Sequence, residues 1–118
     1  MALEGRFRID APTTATADAA VVPVGVPRDL RYLDGHFPGN PIVPGVAQLI
    51  LVEGAARRAF PDLGATQGIG RLKFRARIDP GDEVEVALER RTADVRFTIR
   101  RGETECTKGV LLVAPKDE

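Results

Sequence analysis

Two kinds of spacing divide this chain. From Arg71 to Ile78 charged and apolar residues alternate, with Arg71, Lys73, Arg75 and Arg77 set against Leu72, Phe74, Ala76 and Ile78. A period of two predicts a strand with one wet face and one dry face. The turn Asp79-Pro80-Gly81-Asp82 ends the run. The pattern resumes through Val84, Val86 and Leu88, then Val95, Phe97 and Ile99, then a last run from Val110 to Val113, with turns near Ala93-Asp94 and Arg101-Gly102. Near the start, Arg6 to Ile9 and the valine-rich run from Ala19 to Val26 predict a pair of strands. Pro23 lacks a backbone donor and fits an edge position or a bulge better than a central strand.

The second spacing is helical. Gly45 to about Phe60 carries no turn signal and is rich in Ala and Leu, and Pro44 suits the opening of a helix that Pro61, Asp62 and Gly64 close. Only Gln48 and Glu53 interrupt its apolar residues before Arg57. A helix apolar on most faces has to be wrapped by the rest of the protein, whereas a surface helix shows one stripe. Two strands, a buried helix and four strands therefore predict an α+β domain in which an antiparallel sheet curls around one helix. The expected organisation is a single domain over residues 1–118, with tails at 1–5 and 115–118.

Composition narrows the partners. Lys plus Arg and Asp plus Glu number 17 each, so no overall basic excess points to nucleic acid or a membrane surface, and any electrostatic partner must read a local patch. The row Arg71, Lys73, Arg75 and Arg77 is the concentrated positive face, read as the solvated side of a strand or as a match for an acidic surface. The charged start, MALEGRFRID, is unlike a signal peptide, and no apolar run approaches the ~18 residues of a membrane span. The expectation is a cytoplasmic protein without membrane contact. One cysteine, Cys106, and one histidine, His36, exclude an internal disulfide and an all-protein Cys/His zinc site. Neither a metal nor a cofactor is expected, and Cys106 is assigned no role.

The densest chemical signal is the loop between Arg28 and Pro44. Asp34-Gly35-His36-Phe37-Pro38-Gly39-Asn40-Pro41-Ile42-Val43-Pro44-Gly45-Val46 carries the histidine into the start of the buried helix. Proline and glycine fix a loop backbone, and a fixed loop can hold an imidazole beside exposed helix N–H groups that favour developing negative charge.

Residues 36 to 46 resemble the signature of the 3-hydroxyacyl-acyl carrier protein dehydratases of the hot-dog fold: a His-Phe-Pro loop, then Pro, two hydrophobic residues and Pro-Gly leading into the central helix. The segment KFRARIDPGD is similar to the family's strand and turn after the helix. The spelling HFPGNPIVPGVAQL is closest to the dehydratase-like proteins of bacterial aryl-polyene and related lipid pathways. The resemblance implies a hot-dog fold and removal of water from a 3-hydroxyacyl thioester to give the trans-2-enoyl thioester, the acyl group riding on an acyl carrier protein rather than on coenzyme A. It implies that His36 takes the C2 proton and that the Gly45 N–H bonds the thioester carbonyl. Phe37, Pro44, Val46, Gln48, Leu49 and Ile50 are expected to contact substrate, with Val43 beside them in the tunnel wall.

The chain departs from the family at one place. The family's acidic residue falls fourteen positions after the histidine, and here that position is Ile50. Glu53 lies three residues on, on nearly the same helix face and about 4.5 Å further along the axis. It reads either as a displaced general acid or as an i, i+4 partner of Arg57. The resemblance implies a dimer, identical or mixed, with the histidine from one chain and the carboxylate from the other. A second expectation is therefore a half-site or non-catalytic subunit that completes a heterodimeric dehydratase. An acyl thioesterase is a third.

Overall fold

The computed structural model describes residues 7–28 and 45–114. Within them, seven strands and one helix run in the order β1 (Arg8–Ile9), β2 (Thr14–Ala15), β3 (Ala19–Gly25), α1 (Gly45–Ala59), β4 (Thr66–Phe74), β5 (Glu83–Arg90), β6 (Asp94–Arg101) and β7 (Thr104–Val113). All pairings are antiparallel, and the sheet order is β1-β3-β5-β6-β7-β4, with β2 also on β3.

The alternation read from the sequence becomes the two faces of this sheet. Val22, Val86 and Ile99 stand opposite one another across β3, β5 and β6, and Ile99 faces Thr107 on β7. A parallel row runs Ala20, Leu88, Phe97, Gly109, and there the small ends leave room for the large middle. Both rows are buried. They meet Ala47, Leu51, Val52, Ala55 and Ala56 of α1, all buried in the same core. At about 25 cal/mol per Å² of apolar surface removed from water, this contact between helix and inner sheet face dominates the stability of the domain.

Three strand expectations need correction. Among the described residues, three strands rather than two precede the helix, because Thr14–Ala15 pairs with Val21 and Ala20 of β3. The strand expected from Arg71 to Ile78 instead covers Thr66 to Phe74, and the N–H groups of Arg75 and Ala76 both donate to the Cys106 carbonyl as the chain leaves the ladder. Pro23 is paired with Glu85 in the interior of the sheet. Its carbonyl accepts the Asp10 N–H at 3.0 Å, so its donorless nitrogen faces the same side, where β1 has ended and β2 has not begun.

Candidate functional site

Helix α1 begins at Gly45, and its first turn contains no acidic residue that would offset the positive end of its dipole. Phe74, at the end of β4, closes over this start: a Cβ on Gly45 would lie 3.0 Å from the tip of the Phe74 ring. Glycine therefore permits a close approach here that alanine would crowd. Val46 is 57% exposed and Phe74 54% exposed, an apolar pair beside the helix N–H groups. His36, Phe37, Val43 and Pro44 lie outside the described residues.

One turn into the helix, Gln48 is buried, and its Oε1 accepts the Thr107 hydroxyl of β7 at 2.5 Å. This bond places the amide at the end of the row Val22, Val86, Ile99, Thr107 and ties the helix start to the sheet. A polar pair this deep is held by mutual satisfaction, since an unpaired hydroxyl there would be costly. Leu49 and Ile50 are half-buried, and Ile50 packs on the core.

Ile50, Glu53, Gly54, Arg57 and Arg58 share one helix face and, with Ile9 of β1, line an open groove of about 540 Å³. The Glu53 carboxylate is engaged: Arg57 approaches its Oε2 at 3.4 Å and the Thr66 hydroxyl donates to the same oxygen. Arg57 also donates to the carbonyls of Leu63 and Gly64, both at 3.0 Å. The guanidinium thus closes the turn after the helix and joins it to β4, with Glu53 as its counter-charge.

The positive row is divided. Arg75 pairs with Glu105 at 3.0 Å and Arg77 with Asp79 at 2.7 Å, while Arg71 and Lys73 turn to the outer face of the sheet. Cys106 is fully buried, and burial pushes its thiol pKa up.

A family model for ApeI dehydratase, of the ApeI-like family, matches residues 12–110. The chain belongs to the ApeI-like dehydratase family. Among curated relatives, the 3-hydroxyacyl-[acyl-carrier-protein] dehydratase FabZ of Natranaerobius thermophilus is 34% identical over 90 residues, 70% of this chain and 62% of that protein. The FabZ of Acetivibrio thermocellus is 38% identical over 68 residues, 49% of this chain and 44% of that protein. The chain spans about half the length of the curated relatives it matches. The solved dehydratase heterocomplex ApeI:P from Xenorhabdus doucetiae superposes with a TM-score of 0.79 at 19% identity, covering 91% of this chain and 96% of that one. The fold is the hot-dog fold expected from the loop signature. Among the described residues, no helix is long and apolar enough to cross a membrane.

Proposed function

We propose that this chain is the histidine-bearing subunit of a dehydratase that converts a carrier-bound 3-hydroxyacyl thioester to the trans-2-enoyl thioester, and that the general acid comes from a second subunit. The carrying observation is at positions 50 and 53. Residue 50, where the resemblance to the dehydratases implies an acid, is isoleucine, and the nearby Glu53 carboxylate is held by Arg57 and Thr66. Both contacts fall on Oε2 and tie the Glu53 side chain to Arg57 and to the start of β4, so this carboxylate is engaged in holding the helix exit rather than left to serve a departing hydroxyl. The match to a heterocomplex ApeI:P supports the mixed assembly, and the FabZ relatives support the thioester chemistry.

In this reading the His36 imidazole removes a proton from C2, and its electron pair delocalises onto the thioester carbonyl. The Gly45 N–H, at the positive end of α1, stabilises that oxygen. Collapse of the enolate expels the C3 hydroxyl, which takes a proton from the second subunit's acid and leaves as water. His36 then holds one proton and the acid lacks one, and exchange with solvent restores both. No cofactor enters this balance. Within one assembly, Gln48 positions the helix start through Thr107, while Val46, Leu49 and Ile50 lie towards the acyl chain.

Complementation tests this. The His36→Ala/Ile50→Glu double variant carries an acid without the base, and the wild-type chain carries the base without the acid. Mass spectrometry of a 3-hydroxyacyl-carrier substrate is expected to show loss of water with the mixture and not with either protein alone. An inactive mixture in which mixed dimers are shown to form would overturn the division of roles.

A further inference from the structure

The outer face of the sheet carries a feature that dehydration at the helix start does not use. Between β4, β5, β6 and β7 lies an open depression of about 510 Å³ whose rim includes Arg71, Lys73, Arg96 and Lys108 against the single acid Glu89. Its floor is made of small side chains, among them Ala87, Thr98 and Gly109. Arg71, Lys73 and Arg96 form no ion pair among the described residues, and Lys108 reaches only Glu105, at 4.0 Å. The chain is neutral overall, so this is a local concentration of charge.

A backbone irregularity builds it. Gly70 pairs with Val110 and Lys73 with Lys108, so β4 advances three residues while β7 advances two. The extra residue resets the alternation: Leu72 packs on the core while Arg71 and Lys73 both reach the depression. At the bulge Arg71 has φ of 52°, the left-handed region that a side-chain-bearing residue adopts at a cost. Glycine would relieve that cost, and arginine stands there.

We propose that this depression is a docking surface for an acidic protein, the carrier that brings the thioester. The occupant's identity, though not the acidic character of its surface, rests on the reading given under Proposed function. Four long cations around a shallow floor of small residues suit an exposed row of carboxylates on a helix. The charge is spread too widely and lies too open to enclose one small anion. The surface also lies on the strand that ends at the candidate site, because Phe74, which covers Gly45, follows Lys73 directly in β4. A carrier seated here would be steered electrostatically to that end of the molecule.

The test is titration of the full chain with a purified acidic acyl carrier protein. Arg71→Gly removes a charge and accepts the left-handed backbone without strain, so it keeps the fold. The Arg71→Gly/Lys108→Gln variant is expected to raise the Kd at least tenfold. Arg75→Gln and Arg77→Gln, which remove cations paired outside the depression, should change it less than twofold. Wild-type affinity should fall as salt is raised. A double variant that binds like wild type, equal loss in the Arg75 and Arg77 variants, no carrier binding by the wild type, or tighter binding of a single-stranded oligonucleotide than of the carrier would each overturn the proposal. Turnover of a small N-acetylcysteamine thioester by the assembled enzyme separates this from the catalytic reading. Its absence sinks the dehydratase assignment and leaves the docking result to stand or fall on the Kd values.

Discussion

Glu53 and Arg57 are paired one helical turn apart, 3.4 Å between Oε2 and the guanidinium, and the same guanidinium holds the carbonyls of Leu63 and Gly64. The arginine therefore does more for the fold than the glutamate does. Arg57→Ala removes donors from two backbone carbonyls at the helix exit and should destabilise the domain by about 1–3 kcal/mol. Glu53→Gln leaves those bonds in place and should change stability by less than about 1 kcal/mol, as for a partly exposed ion pair. Urea unfolding of the two variants checks the order. A larger loss from Glu53→Gln than from Arg57→Ala would contradict this assignment.

Gly109 is matched to Phe97. A Cβ at position 109 would stand 2.9 Å from the tip of the Phe97 ring and 3.2 Å from the Gly70 carbonyl oxygen. Gly109→Ala should cost about 1–3 kcal/mol through overpacking, and adding Phe97→Leu should recover part of it. A double-mutant cycle reads the coupling. An additive cycle would mean that the two positions do not compete for the same space.

Burial raises the Cys106 pKa above the ordinary thiol value of 9.0. The folded chain keeps this proton longer than the unfolded chain. The sign is that stability present below the unfolded thiol's pKa is lost as pH rises through the folded one. Wild-type urea midpoints should fall more steeply between about pH 8 and pH 10 than those of Cys106→Ala. A thiol reagent should modify the native protein only as fast as it opens. Parallel midpoint curves, or rapid native labelling, would contradict the buried thiol.

Alternation makes much of the fold legible in the sequence. Val84, Val86 and Leu88, and Val95, Phe97 and Ile99, fell on the inner face because one side of each strand must meet the apolar helix. The placement of β4 was hidden. Its residues Thr66 to Gly70 carry two glycines and no clear alternation, and their pairing comes from β7 rather than from local pattern. Conversely, Arg75 to Ile78 alternate but leave the ladder when one carbonyl, that of Cys106, takes two successive N–H groups. Arg71 to Arg77 looked like one charged face in sequence. The bulge at Arg71 and the partners Glu105 and Asp79 divide it.

At the site, the Glu53–Arg57 pair was readable, because helix spacing alone puts residues four apart together. The Thr66 bond to Glu53 and the Thr107 bond to Gln48 were not. Each joins residues distant in sequence through the register of an edge strand or its neighbour.

The wild-type chain, purified alone and given a 3-hydroxyacyl-carrier thioester, tests the central claim most directly when its products are followed by mass spectrometry beside those of Glu53→Gln and Ile50→Glu. Loss of a general acid costs about 10²–10⁴ in rate. The expected result is little or no loss of water from the wild-type protein, no further change in Glu53→Gln, and a gain in Ile50→Glu. Efficient dehydration by the wild-type chain alone, abolished in Glu53→Gln, would contradict the account and make Glu53 the acid.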